Sequence, residues 1–512
     1  MAAKTVRKRL YIIGVDAAPL WLIKEHYKSH RLDGFTKFLE GGALTDLEST
    51  MPPMTGPSWP SMYTGFRPGE TGTPEFFTMT KDYRKEIAFY NPDIKAPFWD
   101  KLARGKGLRS LVITPAMLVK PTGEPKVDMI TGFPLPAKFS SQKVRDVADK
   151  CSFRGEPEDT EAKMKDGSFT LEQASKSYAD TIEKRGRVAR ELIEKNDYDL
   201  CFICFTETDR MQHFSLNNPK WREYVLPLYE RISDFLLWIQ ERARSEYATV
   251  LLVSDHGAQP IKEKFLVNGW LINNGYAKLQ PALEASLGSA GKASVKYTVR
   301  ERLMKSSLRK KVYEKLPSAG KKLAKTVLVK GFAGTSGEDY TRIHDFDFDM
   351  TRTTAFATIS NGPICTIYLN DSRFQNGIVG KDRQALKEEL MDSLLKITDR
   401  EGKPLIVATY DADKYYEGTR LFIAPDIMAE VREDYFLDTF GYRKSGELFA
   451  KPELAKSGDH LKNGIFGVID YRSAVDYQKV KRNHLYVYNV APTVLKYFDY
   501  KPDNDKRYGP IF

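Results

Sequence analysis

This sequence contains no long apolar run and few cysteines. No run of about 18 apolar residues occurs, which excludes a membrane-spanning helix of ordinary length. Four cysteines in a chain of 512 residues do not form the disulfide framework of a small secreted protein. Cys201 and Cys204 form a CxxC pair inside the apolar run YDLCFICF, and no second pair completes a zinc site. We therefore predict that both are buried strand residues.

The N-terminal stretch MAAKTVRKRLYIIGVDAAP is basic and then apolar, as a secretion signal would be. However, its apolar part is short, carries Asp16 and lacks a cleavage site of small residues. We interpret this stretch as the first strand of the core and expect a cytoplasmic protein.

The formal net charge of +11 favours anionic partners: phosphorylated substrates, nucleic acid or an acidic membrane surface. Much of this excess lies in segment 292–330, where basic side chains far outnumber Glu301 and Glu314. Stretches such as VRERLMKSSLRKKVYEKL are typical of amphipathic helices with a cationic face. This face is either simply solvated or makes a peripheral contact with phospholipid headgroups or another polyanion.

Short apolar runs that alternate with helical patterns predict the fold. The runs are LYIIGVDA, SLVITPA, YDLCFICF, ATVLLVSD, TTAFATI, PICTIYLN and PLIVATY. Such a pattern indicates an α/β protein with a doubly wound, mostly parallel sheet flanked by helices. Residues 261–345 break the pattern, so we predict a core at 1–260 and 346–512 with a basic helical insert or cap at 261–345.

Aspartates and histidines lie where a site would need them. The aspartates end or follow strand-like runs, where an unpaired buried acid is costly. Each alone could be a helix N-cap, but the nearby histidines favour metal ligands. Oxygen and imidazole ligands suit zinc, with manganese as a competitor, and we expect two such ions. The candidate ligands are Asp16, Asp209, His213, Asp255, His256 and His460.

Local spacing predicts how these side chains converge. Asp209 and His213 are one helical turn apart and share a face if TDRMQHF begins a helix. Asp255 and His256 are adjacent, so both can face one site only if a turn follows the strand directly. His460 stands between SGD and KNG, which predicts a loop position.

A hydroxyl nucleophile is expected in the loop PPMTGPSWPSMYTG, where either Thr55 or Ser58 could serve. A free hydroxyl is a weak nucleophile at neutral pH, and coordination to a metal activates it. The alternative is an ordinary N-cap of the helix that follows, and the two roles are compatible because a helix N-terminus favours an anion. Two groups of ligands with a hydroxyl between them are what two-metal phosphoryl transfer requires.

This ordered set resembles the alkaline phosphatase superfamily, specifically its type I phosphodiesterase/nucleotide pyrophosphatase branch. In that branch the nucleophilic threonine stands nine residues before a Thr-Gly pair, as Thr55 does before Thr64-Gly65. The resemblance therefore selects Thr55 as the catalytic residue. Ser58 then takes the place of the family's phosphate-binding asparagine, as a substrate-binding residue with a shorter donor.

The same resemblance implies the metal ligands and an alkaline-phosphatase-like fold. One metal would be held by Asp16, Thr55, Asp255 and His256, and the other by Asp209, His213 and His460. Segments such as PFWDKLARGKGLRSLVITPAM, SNGPICTIYLN and HLKNGIFGV are similar to the predicted phosphohydrolase/phosphomutase subgroup. The similarity spans nearly the whole chain except the basic insert.

The sequence of the loop around Thr55 also distinguishes between the reactions of related enzymes. Sulfatases need a C/S-x-P-x-R loop, whereas this one reads TGPSW; the related phosphoglycerate mutases use a serine and a large inserted domain. Classical monoesterases supply an arginine beside the nucleophile, and here none follows before Arg67, although one could arrive from elsewhere in the fold. We therefore predict a phosphodiesterase that acts through a phospho-threonine intermediate on a phosphorylated small-molecule or lipid-like substrate.

Other functions stay open. The same centre could transfer a phospho-headgroup at a membrane surface, or act as a phosphomonoesterase or phosphomutase. A third possibility is an anionic-lipid or nucleic-acid binding protein with a vestigial site, but no recognised nucleic-acid motif accompanies the basic charge. Trp59, Phe76, Phe77 and Tyr340 could stack on a nucleobase, although core packing explains such aromatic residues as well.

Overall fold

A computed structural model describes residues 7–155, 157, 159–288, 340–343, 347–358, 362–416, 423–452, 457–501 and 508–512. The basic segment 292–330, with the membrane contact predicted for it, lies outside the described residues. The division into a core and an insert at 261–345 stays a prediction.

The strands are, in chain order, β1 (Leu10–Val15), β2 (Ala43–Glu48), β3 (Phe77–Met79), β4 (Lys85–Ile87), β5 (Ser110–Ile113), β6 (Val127–Ile130), β7 (Leu200–Phe205), β8 (Thr249–Val253), β9 (Gly257–Pro260), β10 (Glu263–Leu266), β11 (Tyr340–Arg342), β12 (Ala355–Ala357), β13 (Ile364–Leu369), β14 (Ile406–Asp411), β15 (Ile427–Val431), β16 (Tyr435–Asp438), β17 (Gly441–Arg443), β18 (Phe449–Ala450), β19 (Gly458–Leu461) and β20 (Asn463–Asp470).

The α-helices are α1 (Leu20–Glu25), α2 (Asp33–Gly41), α3 (Thr55–Thr64), α4 (Pro68–Thr71), α5 (Phe98–Lys106), α6 (Gln142–Lys150), α7 (Thr160–Lys165), α8 (Leu171–Lys195), α9 (Glu207–Ser215), α10 (Trp221–Glu246), α11 (Val267–Asn273), α12 (Pro281–Gly288), α13 (Arg383–Leu395), α14 (Tyr477–Arg482) and α15 (Val490–Tyr497). Short 3-10 helices cover Ala412–Lys414 and Val487–Asn489.

A seven-stranded sheet in the order β2-β20-β8-β1-β7-β5-β6 forms the centre of the molecule. Neighbouring strands from β8 to β6 run parallel, and β20 runs antiparallel to both β8 and β2. The predicted doubly wound, mostly parallel α/β sheet is therefore confirmed. Because the apolar run from Leu10 to Val15 is the middle strand β1, it belongs to the folded core.

Both faces of this sheet are buried, which explains why its strands are continuous apolar runs. Along β1, Tyr11 and Ile13 pack under α2, α8 and α10, whereas Leu10 and Ile12 pack under α3, α5 and α15. Cys201 and Cys204 are buried in β7, as predicted, and they belong to opposite faces.

The later apolar runs form strands but not in the predicted sheet. TTAFATI, PICTIYLN and PLIVATY contribute β12, β13 and β14 to a four-stranded sheet in the order β12-β13-β15-β14. All of its pairings are antiparallel, and it has its own hydrophobic core with α11 and α13. Apolar runs alone do not tell a strand of one buried sheet from a strand of another.

Within the described part of the chain, no helix combines the length and the apolar character needed to cross a lipid bilayer.

Candidate active site

The central parallel strands deliver three of the predicted side chains to one edge of the sheet. Asp16 follows β1 directly, and Asp255 and His256 fill the turn between β8 and β9. Both strands are parallel neighbours, so the residues after them emerge at the same carboxyl edge. Gly257 closes the turn, and a Cβ there would overlap the carbonyl oxygen of Asn463. The predicted turn after the strand is present, and it brings both side chains to one side.

Helix α9 begins just after β7 and carries the next pair. Asp209 and His213 share one face, with 3.3 Å between Asp209 Oδ1 and His213 Nε2. Two neighbouring side chains tie the helix to the end of β1. Thr208 Oγ1 donates to the carbonyl oxygen of Asp16 at 2.5 Å, and Gln212 Nε2 donates to that of Ala17 at 2.9 Å.

His460 lies in β19 and not, as predicted, on a loop. β19 pairs antiparallel with β9, which places His460 opposite Ala258 and next to the turn that holds His256. The imidazole rings of His256 and His460 are 4.0 Å apart between centroids. The four residues of β19 pair with the four residues of β9, a pairing that no local pattern around SGDHLKNG indicates.

Thr55 is the first residue of α3, and its hydroxyl points into this group. Thr55 Oγ1 donates to Asp16 Oδ1 at 3.3 Å and lies 3.3 Å from His256 Nε2. Met54 occupies the N-cap position without a side-chain cap. The capping role considered for Thr55 is therefore not the one that the structure gives it.

Ser58 lies one turn further along α3, and its described hydrogen bonds go to residues outside this group. Its hydroxyl is fully buried and lies 2.7 Å from the hydroxyls of both Ser49 and Thr50. These contacts join the first turn of α3 to the end of β2. Among the described residues, no hydrogen bond joins Ser58 to this group. The substrate-binding role of Ser58 stays a prediction.

The predicted side chains other than Ser58 converge on one pocket. His256 Nε2 lies 3.1 Å from Asp255 Oδ2 and 3.6 Å from Asp16 Oδ1. On the other side, His460 Nε2 lies 3.2 Å from His213 Nε2 and 3.5 Å from Asp209 Oδ1. Potential ligand atoms within 4.8 Å of one another form the groups Asp16, Asp255 and His256; Asp209, His256 and His460; and His213, Asp459 and His460.

Hydrogen bonds on the far side of two imidazoles orient them towards the pocket. His213 Nδ1 lies 2.8 Å from the carbonyl oxygen of Gly458, and His256 Nδ1 lies 3.0 Å from that of Gly257. A carbonyl accepts only, so each Nδ1 donates this hydrogen bond and each Nε2 faces the pocket. The Nε2 atoms therefore lie near carboxylate oxygens, and that of His213 also lies near His460 Nε2, an arrangement that suits a bound cation.

Burial and like charge perturb the acids of the pocket. Burial, together with the neighbouring carboxylate of Asp255, raises the pKa of Asp16 well above its usual value. Burial and Asp209 raise the pKa of Asp255 in the same way. Burial also acts upward on Asp209, but His213 and His460 hold its pKa well below the usual range. Burial, followed by the charge of His460, lowers the pKa of His256, which keeps its ring neutral.

Sequence reasoning missed two contributors to the pocket. Trp59 is fully buried and its Nε1 donates to Asp16 Oδ2 at 3.0 Å. Its position four residues after Thr55 places both on one face of α3, so the spacing could have revealed it. Asp459 is buried beside His213 and His460, with 3.9 Å and 4.0 Å between its Oδ1 and their Nδ1 atoms. No spacing rule singles out Asp459.

Comparison with solved structures shows which proteins share this fold. Phosphonoacetate hydrolase from Sinorhizobium meliloti 1021, solved with phosphonoacetate and with phosphonoformate, superposes with a TM-score of 0.52 at 14% identity. The alignments cover 95% of this chain and 94% of that one. Murine ectonucleotide pyrophosphatase/phosphodiesterase 5 matches at 10% identity over 97% of both chains, with a TM-score of 0.46. The chain therefore shares the fold of phosphonoacetate hydrolase.

The sequence profile of the type I phosphodiesterase/nucleotide pyrophosphatase family matches residues 10–445. This chain belongs to that family, and it is a phosphoric ester hydrolase of the phosphodiesterase/pyrophosphatase type. No curated protein sequence is significantly similar to the chain.

Proposed function

We propose that the protein hydrolyses phosphodiesters or nucleotide pyrophosphates at a two-metal centre, with Thr55 as the nucleophile. The observation that carries this proposal is the position of the Thr55 hydroxyl. It lies between Asp16 and His256, at the positive end of α3, in a pocket lined with carboxylates and imidazoles. A buried hydroxyl that only packs would not need acids of raised pKa around it.

The donor set fits divalent metal ions. Oxygen and imidazole nitrogen without thiolate suit zinc, with manganese as the competitor. One ion would be held by Asp16, Thr55, Asp255 and His256, and the other by Asp209, His213 and His460. When bound, two such ions would lower the pKa of the Thr55 hydroxyl, neutralise the phosphoryl oxygens and stabilise the leaving group.

The proposed reaction has two steps. Thr55 Oγ gives up its proton and attacks phosphorus in line, the bond to the leaving group breaks, the leaving oxygen takes up a proton as the alcohol or nucleotide departs, and a phospho-threonine ester forms. Water then attacks that ester, and Thr55 regains its proton as phosphate or phosphomonoester leaves. Asp16 accepts a hydrogen bond from Thr55 and is itself held by Trp59, so the nucleophile is oriented before substrate binds.

Substitution of Thr55 tests the proposal. We expect Thr55→Ala to reduce turnover of a chromogenic phosphodiester by about 10³-fold or more, because the covalent route is removed. Brief incubation of the wild type with a ³²P-labelled diester and acid quenching should yield labelled phospho-threonine at residue 55. The matched control is Ser61→Ala in the same helix, whose buried hydroxyl makes no hydrogen bond among the described residues. Full turnover by Thr55→Ala would refute the assignment.

A further inference from the structure

The indole of Trp59 is fixed between α3 and the central strand β1. The residue is fully buried, and its ring meets that of Phe202 in β7 edge-on, with 6.1 Å between the centroids. A Cβ at Gly14 of β1 would lie only 2.7 Å from Cη2 of the indole, so the missing side chain of this glycine makes room for the ring. In an interior packed this closely the indole has one position, and that position is beside the end of β1, where Asp16 follows.

The two oxygens of the Asp16 carboxylate have separate partners. Oδ2 accepts a hydrogen bond from Trp59 Nε1 at 3.0 Å. Oδ1 accepts one from Thr55 Oγ1 at 3.3 Å and lies 3.6 Å from His256 Nε2. Because the indole is fixed, its hydrogen bond at Oδ2 restricts the rotation of the carboxylate. Oδ1 is thereby directed at the nucleophile and the histidine.

A second tryptophan in the same core has the same packing without the same hydrogen bond. Trp99 of α5 is fully buried and contacts the rings of Tyr63 and Phe202, as Trp59 does. Among the described residues, however, Trp99 Nε1 makes no hydrogen bond. Burial in this core therefore does not by itself supply an acceptor to an indole, although buried tryptophans usually have one. The contact between Trp59 and Asp16 is a feature of the site and not of the packing.

We propose that Trp59 is a positioning residue: its indole N–H holds one oxygen of Asp16, so that the other oxygen faces Thr55 and a bound cation. The inference rests on the proposed function of the site. Helix α3 then carries both the nucleophile and, one turn later, the group that orients the carboxylate beside it. An indole donates a single hydrogen bond, so Trp59 acts on the ion beside Asp16 and not on the ion beside Asp209 and His213.

Zinc binding distinguishes this role from packing. The variant Trp59→Phe loses the N–H and keeps an aromatic ring, and the control Trp99→Phe makes the same change where the N–H has no described acceptor. The full chain, freed of metal by a chelator, is titrated with zinc in competition with a chromophoric chelator. We expect Trp59→Phe to weaken one of two binding events by about 10- to 100-fold, the usual effect of losing a group that orients a metal ligand. The other event, and both events in Trp99→Phe, should stay within about 3-fold of the wild type.

Steady-state kinetics at saturating zinc give a second measure. With bis(4-nitrophenyl) phosphate as substrate, we expect Trp59→Phe to lower kcat by about 10-fold or more, because a nucleophile that is poorly aligned reacts more slowly. KM should stay within about 3-fold of the wild type, since Trp59 is buried and does not touch the substrate. Trp99→Phe should change neither constant by more than about 3-fold.

The hydrogen bond itself can be observed without metal or turnover. The chain has six tryptophans, so labelling them with ¹⁵N gives a simple NMR spectrum of indole N–H groups. The signals of Trp59 and Trp99 are identified by their loss in Trp59→Phe and Trp99→Phe. In the metal-free protein we expect Asp16→Asn to shift the Trp59 signal more than the Trp99 signal, because a charged acceptor is exchanged for a neutral one.

Three results would overturn the proposal. They are equal effects of Trp59→Phe and Trp99→Phe on zinc affinity and kcat, equal weakening of both zinc-binding events by Trp59→Phe, and a Trp59 signal that Asp16→Asn leaves in place. If the wild type neither binds zinc nor hydrolyses the diester, the proposed function fails, and the NMR comparison alone decides whether Trp59 holds Asp16. A larger shift at Trp59 than at Trp99 would then support the contact, and equal shifts would contradict it.

Discussion

The buried acidic side chains of this centre destabilise the metal-free folded chain when they are charged. Asp16 and Asp255 are buried next to each other, and their raised pKa values show that the folded chain disfavours their charged forms. A protein keeps such a destabilising pair where function requires it. Bound cations would reverse the sign of this contribution.

The variant Asp255→Asn tests whether this buried acidic pair lowers stability and is needed for function. We expect the variant, without metal, to gain about 1–2 kcal/mol in free energy of unfolding, because a buried charge next to Asp16 is removed. The same variant should lose most of its hydrolytic activity and its zinc affinity. Urea unfolding of both proteins in chelator, together with zinc titration, measures the two effects. A metal-free variant less stable than the wild type would contradict the electrostatic account.

The gain should depend on pH. A carboxyl whose pKa is higher in the folded than in the unfolded chain binds more protons when folded, so its contribution to stability is lost as pH rises above the usual value of 3.8. Asparagine has no such dependence. The advantage of Asp255→Asn over the metal-free wild type should therefore increase with pH, and unfolding between about pH 5 and pH 8 measures it. A constant or shrinking advantage would show that Asp255 is not the group responsible.

Sequence reasoning worked at this scale where the residue type itself carries the chemistry. Asp16, Asp209, His213, Asp255, His256 and His460 were selected by type and spacing, and the structure brings them together with Thr55. Their roles as ligands stay a prediction. Ser58 was placed by analogy with a family position, and its direction depends on the contacts of the β2 end with α3, which spacing does not encode.

At the scale of elements, α9 is fixed by a buried ion pair. Arg185 of α8 donates to both carboxylate oxygens of Glu207 at 2.7 Å, and both side chains are fully buried. Glu207 is the first residue of α9, two positions before Asp209. The pair therefore sets where the helix that carries Asp209 and His213 begins.

Breaking this pair should displace α9. We expect Arg185→Met to cost about 3–5 kcal/mol, because an unpaired carboxylate stays buried at Glu207. The double variant Arg185→Met/Glu207→Leu should recover most of this stability, since no charge is left unpaired. Urea unfolding measures both, and zinc titration reports whether α9 still presents its ligands. Equal stability of the single and double variants would contradict a role for the pair.

A close backbone approach joins α9 to β19. A Cβ at Gly458 would overlap the carbonyl oxygen of Gln212 and lie 2.8 Å from Leu216 Cδ1. Gly458→Ala should therefore separate His460 from His213, lower zinc affinity and cost about 1–3 kcal/mol. Gly41→Ala is the control, because nothing lies within 4 Å of a Cβ there. Zinc titration and thermal unfolding compare the two, and equal effects would rule out this explanation.

Element types were predictable where periodicity was strong, as for β1, β7, β8 and α9. The placement of β12, β13 and β14 in a separate antiparallel sheet was not, because a buried strand has the same apolar pattern in either sheet. β19 depends on pairing with β9, a contact between positions about two hundred residues apart, so the local sequence around His460 suggested a loop.

At the scale of the whole molecule, the order of the strands determines which side chains meet at the site. The parallel order β8-β1-β7 places three strand ends side by side, and β19 and α3 close over them from distant parts of the chain. Carboxylates and imidazoles from four separate segments thus meet around the Thr55 hydroxyl of α3. This arrangement supports hydrolysis through Thr55, and the family assignment agrees with it.

The central claim is that two metal ions flank the Thr55 hydroxyl. Anomalous diffraction at the zinc edge from crystals of the metal-loaded protein, with elemental analysis of the same sample, measures this directly. We predict two ions about 3.5–4 Å apart, one against Asp255 and His256, the other against Asp209 and His213, with Thr55 Oγ in contact with the first. Ions bound elsewhere, or a Thr55 hydroxyl remote from both, would contradict the account.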